Sequence, residues 1–202
     1  FALNGVSQLG AADFLTVADV DQSIQYNITG TTAANTIVAG DLADTIAGGN
    51  AADVLTGGTG ADTFVFAQVG SGVAVIDTIL DFVGGTDIID LPVAATGTIN
   101  IGSTGANVSI ATTLGSSTGT SEANLLTDLN IAAAARQSAS AGLYAQTGDT
   151  FQVTITGNSL LGTNATYVVQ EVGGVATTVT TDDIIIGLVG TSSGNISVAT
   201  II

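Results

Sequence analysis

The chain has 202 residues, enough for a substantial core, and sets 17 acidic residues against a single basic one, Arg136, for a net charge of −16. This charge excludes nucleic acid as a partner and disfavours direct contact with an anionic membrane, except through calcium bridges. Because histidine, cysteine and lysine are absent, most zinc sites and nucleophile–base pairs are excluded, and we expect no catalysis within these residues.

Residues 1–29 are predicted to cap the start of the repeats that follow. A cap is needed because the first coil of a strand stack otherwise exposes an unpaired edge. Its apolar residues, in a short helix or irregular strand, are Phe14, Leu15, Val17 and Val20. Because the sequence starts at Phe1 rather than at a methionine, we expect it to be a processed or excised part of a longer protein. Residues 1–30 show no cleavable signal peptide, and no run in the chain approaches the ~20 apolar residues that a transmembrane helix needs.

A repeat of nine residues occupies the next part of the chain. Its polar positions, spaced nine apart, are Asn35, Asp44, Asp53 and Asp62. The apolar residues two positions later are Ile37, Ile46, Leu55 and Phe64. Such a period accommodates a turn of six residues and a strand of three with one inward side chain, so successive repeats form opposite sides of a flattened spiral. The turns need glycine because some of their dihedral angles exclude a Cβ.

In this geometry, side chains two repeats apart face each other, which places Asp44 opposite Asp62 and Asn35 opposite Asp53. Stacked carboxylates repel one another, and the chain has almost no cationic side chain to relieve the repulsion. Ligation by oxygen alone favours calcium among the divalent cations. The alternative is a metal-free solenoid in which the aspartates only cap turns.

The cleanest copy, Gly57-Gly58-Thr59-Gly60-Ala61-Asp62-Thr63-Phe64-Val65, resembles the calcium-binding parallel β-roll of RTX ("repeats in toxin") proteins, which bacteria secrete. The resemblance implies Ca²⁺ between adjacent turns, held by aspartate carboxylates and main-chain carbonyls. It also implies export by the type I secretion machinery, with ordering by calcium outside the cell.

The metal-site residues implied by the resemblance are Asp41, Asp44, Gly48, Asn50, Asp53, Gly57, Thr59, Gly60, Asp62, Asp77 and Asp81. Three positions depart from the family pattern: Leu42 and Ala51 replace a turn glycine, and Asn35 replaces an aspartate. We therefore expect about two or three well-formed calcium sites.

Residues 77–91 follow the pattern D-x-I-x-D-F-x-x-G-x-D-x-I-D-L, which is similar to the end of the roll in serralysin-type proteases. There the segment closes the open end of the solenoid. The side chains predicted to cover the last coil are Ile79, Phe82, Ile88 and Leu91. Asp77, Asp81 and Asp87 either bind a final calcium ion or cap turns, and the sequence leaves both alternatives open.

Residues 93–202 are predicted to form a β-rich C-terminal domain that includes a possible secretion signal. Strands are expected at 97–101, 106–111, 150–156, 166–172 and 177–186. One helix is expected at 121–137, with Leu125, Leu126 and Leu129 as its apolar stripe. Asp182 and Asp183 cap a turn or bind calcium. The predicted fold is therefore all-β: a cap (1–29), a calcium-binding parallel β-roll (30–92), and an antiparallel β-rich domain with one short helix (93–202).

Two hypotheses for function follow. Only 9% of residues are charged and the mean hydropathy is +0.57, which favours contact between chains. This indicates a calcium-dependent structural or self-assembly module of a secreted cell-surface protein (S-layer, surface fibre or adhesin) that forms a lattice or filament. The alternative is the non-catalytic secretion and folding tail of an exoenzyme, a serralysin-like protease or lipase, whose catalytic domain lies upstream. Both hypotheses place the protein outside the cell.

Overall fold

The computed structural model describes residues 7–8, 21–66, 76–92, 108–110, 122–139, 150–159, 162–172 and 178–189. Across these ranges the chain forms twelve strands and one helix. In chain order they are β1 (Ser7–Gln8), β2 (Asn27–Thr29), β3 (Thr36–Val38), β4 (Thr45–Ala47), β5 (Val54–Thr56), β6 (Thr63–Val65), β7 (Ile76–Ile79), β8 (Ile88–Asp90), β9 (Val108–Ile110), α1 (Glu122–Ala139), β10 (Thr150–Ser159), β11 (Gly162–Gln170) and β12 (Ile184–Leu188). No helix in the described part is long and apolar enough to cross a membrane.

Strands β2 to β8 form the two walls of a parallel roll. Consecutive strands lie in opposite walls, and strands two repeats apart pair in parallel, as in Ile46↔Phe64 and Ile37↔Leu55. The first wall has the order β1-β2-β4-β6-β8, and the second begins β3-β5-β7. The parallel pairing of β1 with β2 covers the starting edge of the first wall. The parallel β-roll predicted from the nine-residue period is confirmed.

Each short strand of the roll contributes one side chain to the interior. A strand of three residues that alternates its faces has one inward position, and in this roll that position is apolar and buried. The inward residues are Ile28, Ile37, Ile46, Leu55, Phe64 and Ile89. Of the residues predicted to cover the last coil, Ile88 is half-buried, and the fully buried residue of its strand is Ile89. Asp87 takes the repeat aspartate's place in this coil, and the inward residue again follows two positions later.

The second wall continues beyond the roll. Strand β12 pairs in parallel with β7, through Ile185↔Ile76, and pairs antiparallel with β11. Strand β11 forms an antiparallel hairpin with β10, and β9 joins the far side of β10 in parallel. The order of this sheet is therefore β3-β5-β7-β12-β11-β10-β9, and strands on both sides of residue 93 share it.

The two faces of this extended sheet pack into two separate cores. One face closes the end of the roll, because Val168, Ile184, Ile186 and Leu188 join the cluster of its inward residues. Phe82 and Leu91 are buried in that cluster, as predicted, with the Phe82 ring centroid 6.3 Å from that of Phe64. The other face packs on α1. This second core contains Leu125, Leu129, Ala133, Phe151, Val153, Tyr167, Val169 and Ile185.

The prediction of one helix in the C-terminal region is confirmed, with Leu125 and Leu129 buried and Leu126 partly buried against the second core. The strand predicted at 177–186 was wrong in its first part, because the chain turns there and β12 begins at Ile184. The Asp183 carboxylate caps this turn by accepting the N–H groups of Thr180 (2.7 Å) and Val172 (3.2 Å). The predicted strand 97–101 and the apolar cap residues of 9–20 lie outside the described residues.

Candidate metal centre

The turns of the roll lie along two edges. The first edge contains turns 30–35 and 48–53, which lead from the first wall to the second. The second edge contains turns 40–44, 57–62 and 80–87, which lead back. Each turn ends in Asn or Asp just before the next strand. The polar side chains that the repeat predicts are therefore stacked in two rows, one along each edge.

On the first edge, Asp53 and Asp77 each accept a hydrogen bond from the coil before it. The N–H of Asn35 donates to Oδ1 of Asp53 at 2.7 Å, across 18 residues. The N–H of Asp53 donates to Oδ1 of Asp77 at 2.9 Å, across 24 residues. The side chains of Asp53 and Asp77 are buried. The row is thus a ladder of carboxylates separated by peptide N–H groups.

The second edge repeats the pattern with different members. The N–H of Tyr26 donates to Oδ1 of Asp44 at 2.6 Å, and the N–H of Asp44 donates to Oδ1 of Asp62 at 2.9 Å. The N–H of Asp62 then donates to Oδ1 of Asp87 at 3.1 Å, across 25 residues. The structure thus brings together the pairs expected from the two-repeat spacing. It adds Asp77 and Asp87, whose longer spacing hid their place in the rows.

The second carboxylate oxygen is used differently from turn to turn. In turn 40–44, Oδ2 of Asp44 accepts the N–H of Gly40 at 2.8 Å. In turn 80–87, Oδ2 of Asp87 accepts the N–H of Val83 at 2.7 Å. In turn 30–35, Asn35 has one oxygen, and that atom accepts the N–H of Thr31 at 2.6 Å. These three side chains cap their own turns.

Asp53 and Asp62 do not cap their own turns in this way. Oδ2 of Asp53 is buried and accepts no hydrogen bond. In the turn of Asp62, the N–H groups of Gly57 and Gly58 donate instead to Asp81 of the next coil, at 3.0 and 2.7 Å. Oδ2 of Asp62 consequently receives no N–H from the described residues. Oδ2 of Asp53 on the first edge and Oδ2 of Asp62 on the second are left available to a cation, and of these two the fully buried oxygen without a partner is that of Asp53.

Glycine keeps the space beside these two oxygens open. A Cβ on Gly48 would collide with Oδ2 of Asp53, and a Cβ on Gly57 would collide with Oδ2 of Asp62. Main-chain carbonyls approach the same turns: Thr31 O lies against Gly49, and Gly40 O lies against Gly58. Gly49 and Gly58 also have φ of +100° and +101°, backbone angles that residues with a Cβ rarely adopt. Carboxylate oxygens therefore lie against Gly48 and Gly57, and main-chain carbonyl oxygens lie against the glycine that follows each, where no side chain fits.

The negative charge of the ladders is held at an electrostatic cost. Burial raises the pKa of Asp53 to about 6 and that of Asp77 to about 7, because desolvation penalises the charged carboxylate. Burial also raises the pKa of Asp62 to about 6, and the charges of Asp87, Asp44 and Asp81 add to that rise. The pKa of Asp87 is raised for the same first reason. A bound cation would oppose each of these shifts.

The donor set fits calcium. Only oxygen ligands are available, and a hard cation that accepts carboxylates and carbonyls in flexible geometry matches them. No group of three or more acidic side chains converges among the described residues. A calcium ion at either edge would therefore take a carboxylate oxygen together with main-chain carbonyls, the combination that the repeat predicts.

The remaining residues predicted for the metal sites lie in the exposed turns of the repeats and in the closing segment. The exposed turn residues are Asp41, Asn50 and Thr59. Their bonds hold turns to one another: the N–H of Asn50 donates to Thr31 O at 3.0 Å, and the hydroxyl of Thr59 donates to Asp41 O at 3.1 Å. Gly60, with φ of +137°, lies against Leu42 O. In the closing segment, Asp77 extends a ladder and both oxygens of Asp81 accept N–H groups, so the contacts of Asp81 are those of a turn cap.

A family model described as Peptidase M10 serralysin C terminal matches residues 16–165, which is most of the chain. The match covers both edges of the roll, the closing segment and the helix, and it ends within β11. No curated protein matches the chain significantly.

Proposed function

Because the chain belongs to the serralysin C-terminal family, we propose that it is a calcium-dependent structural module of a secreted bacterial surface protein. The rolls of this family bind calcium, and the family is associated with type I secretion. The C-terminal domain of serralysin is itself non-catalytic. On this proposal, the residues described above stabilise the fold of the module and form its surface, rather than perform a reaction.

One observation carries the calcium dependence. Oδ2 of Asp53 is buried, carries a share of a negative charge, and accepts no hydrogen bond. Leaving such an atom unpaired is costly, and a cation bound to it removes the cost. Where calcium is scarce, as in the cytosol, the two ladders would oppose folding. Where calcium is plentiful, the same residues would drive it.

The surface-protein part of the proposal is supported by the outer face of the first wall. The outward residues of β4 and β6 are half-buried and uncharged: Thr45, Ala47, Thr63 and Val65. Asp90, an outward residue of β8 that pairs with Val65, adds a carboxylate at the margin of this face. With 9% charged residues in the chain, the part of the face on β4 and β6 suits packing against a second copy. We propose that copies associate through it into a lattice or filament at the cell surface.

The alternative is a secretion and folding tail of an exoenzyme, such as a serralysin-like protease or a lipase. The family match supports it as well as it supports the surface module, since serralysin is itself a protease with such a tail. In that case the module would fold in calcium and remain monomeric, and catalysis would belong to residues upstream.

The test is a calcium titration of the chelator-stripped chain, followed by circular dichroism and static light scattering. For the surface module we expect β structure and large assemblies to appear over the same range of calcium, and chelator to reverse both. A chain that folds with calcium but keeps the scattering mass of a monomer supports the exoenzyme tail. Folding that is independent of calcium contradicts both.

Magnesium at equal concentration is the control for charge screening. It prefers rigid octahedral geometry and retains its waters, so we expect it to leave the chain unfolded. A Thr63→Lys variant places a charge on the outer face without touching either ladder. We expect this variant to fold at the calcium concentration of the parent and to fail to assemble.

A further inference from the structure

The repeat aspartates, equivalent in sequence, are not equivalent in their bonding. Asp44 uses both carboxylate oxygens, accepting N–H groups from Tyr26 and Gly40 at 2.6 and 2.8 Å. Asp53 uses only Oδ1, for the N–H of Asn35. Its Oδ2 is fully buried and unpaired. Two residues at the same position of the same nonapeptide therefore offer different atoms to a cation.

A bonded N–H disfavours a cation for a simple reason. The amide hydrogen carries partial positive charge, occupies one of the two lone-pair directions of the oxygen and offsets part of its charge, so that oxygen gains less from a cation than an unbonded one. A calcium ion that took the place of this hydrogen bond would leave the N–H group without a partner, which is unfavourable where the group is buried. An unpaired buried carboxylate oxygen carries no such cost, and it gains the most from a cation.

Asp62 belongs with Asp53, and the reason lies in the closing segment. In turns 40–44 and 80–87, the N–H four residues before the aspartate bonds to that aspartate's Oδ2. In turn 57–62 the corresponding N–H belongs to Gly58, and it bonds to Oδ2 of Asp81 at 2.7 Å. The other oxygen of Asp81 binds the N–H of Gly57 at 3.0 Å. Asp81 thus takes up the donors that would otherwise occupy Asp62.

We infer that the roll sorts its acids into two classes: Asp53 and Asp62 bind calcium, whereas Asp44 and Asp87 are metal-independent turn caps that their own peptide N–H groups hold in place. Asp81 is a positioning residue, since it keeps Oδ2 of Asp62 free without itself binding the ion. This inference rests on the proposed calcium dependence of the module. It narrows the sites expected from sequence to one on each edge, among the turns described.

The test counts bound calcium by equilibrium dialysis with radioactive calcium. Asp53→Asn and Asp62→Asn should each bind one ion fewer than the parent chain. The matched control, Asp44→Asn, makes the same chemical change at the same repeat position and should bind as many ions as the parent. The division into two classes would be overturned if Asp44→Asn bound fewer calcium ions than the parent chain, or if Asp53→Asn bound as many as the parent chain. A parent chain that binds no calcium would instead overturn the proposed function.

Asp81 is tested through the affinity of one site. We expect Asp81→Ala to keep the parent's number of ions and to weaken one of them by about 10-fold, as for partners that orient a metal ligand. In an Asp62→Asn background, Asp81→Ala should leave the remaining affinities unchanged. A purely structural role for Asp81 would instead weaken binding equally in both backgrounds, and that result contradicts the inference.

A measurement on the unaltered chain covers the case in which a variant does not fold. Anomalous diffraction from crystals of the calcium-bound parent locates each ion directly. We expect calcium at about 2.3–2.6 Å from Oδ2 of Asp53 and of Asp62, and none on Oδ2 of Asp44. An ion on Asp44 Oδ2, or none on Asp53, overturns the assignment.

Discussion

The roll and the helix-covered hairpin share one sheet but are stabilised differently. In the roll, strands of three residues bury one side chain each, and buried acids line both edges. In the hairpin, β10 and β11 run for ten and nine residues, and one face packs on α1 through leucine, phenylalanine, tyrosine and valine. Apolar burial scales with the area removed from water, so the hairpin gains more from it per strand. The roll must gain stability elsewhere, and its ladders are where a cation would supply it.

Calcium removal is the strongest way to separate the two regions. At pH 7.5, excess chelator should abolish the hydrogen-exchange protection of amides in β3 to β6 while amides in β10 and β11 retain part of theirs. An ion present at 100 times its dissociation constant stabilises the folded chain by about 2.7 kcal/mol, so two ions contribute about 5 kcal/mol. Simultaneous and complete loss in both regions would show that they unfold as one unit.

Protons should partly take over the role of calcium in the roll when the pH is lowered, because protonation also removes the negative charge of the buried carboxylates. The pKa values of Asp53 and Asp62 are raised to about 6, and that of Asp77 to about 7, above the ordinary value of 3.8. The folded metal-free chain therefore binds protons more tightly than the unfolded chain. The stability that these three carboxyl groups contribute is fully present below about pH 4 and is lost as the pH rises through 6 to 7.

Urea denaturation in chelator, at pH 4.5 and at pH 7.5, measures this effect. We expect the urea midpoint to be higher at pH 4.5 than at pH 7.5. In Asp77→Asn, which removes the carboxyl group whose pKa is raised to about 7, the difference between the two midpoints should be smaller. A higher midpoint at pH 7.5 would contradict the burial of these carboxylates.

One substitution made in both regions compares their cores. Leu55 in the roll and Leu129 in α1 are both fully buried, so replacing either with alanine should destabilise the protein by about 3 kcal/mol. Leu55→Ala should also raise the calcium concentration needed for folding, because the proposed function couples folding of the roll to the metal. Leu129→Ala should lower the melting temperature at saturating calcium and leave that concentration nearly unchanged. Equal shifts of the calcium midpoint would remove the distinction between the regions.

The smallest effect concerns a single turn. Ala51 has φ of +72°, in the left-handed region that costs a residue with a Cβ about 1–2 kcal/mol. Ala51→Gly should relieve that cost and, after the entropy glycine adds to the unfolded chain, stabilise the roll by about 0.5–1 kcal/mol. Leu42→Gly is the matched control at the same repeat position, where φ is not positive. It should destabilise the roll by a similar amount in calorimetry at saturating calcium.

The local parts of this fold could be predicted from sequence, because they repeat. The nine-residue spacing predicts that Ile37, Ile46 and Leu55 face inward and that Asp44 stacks on Asp62. The prediction failed where the spacing changes. Asp87 follows Asp62 by 25 residues rather than 18, which hid its place in the ladder and, with it, the inward position of Ile89 two residues later.

Two further features have no local signal in the sequence. The pairing of β12 with β7 joins Ile185 to Ile76, and the apolar run at 184–189 is compatible with many partners. The difference between Asp44 and Asp53 depends on which N–H group reaches each Oδ2, and turn geometry decides this. Residue type and spacing are the same for both, so the sequence predicts a metal ligand at each.

The shared strand β12 also has a consequence for the order in which the chain can fold. Coils stack on neighbours 18 residues away, so each can form once its predecessor is in place. The end of the roll is closed by residues that come far later in the chain, and contacts of such long range form slowly. A chain threaded end first through a narrow conduit, from either end, can complete this sheet only after everything between Ile76 and Leu188 has passed. Until then the last coil exposes Phe82 and its neighbours to water, and time spent in that state is when copies can meet and aggregate.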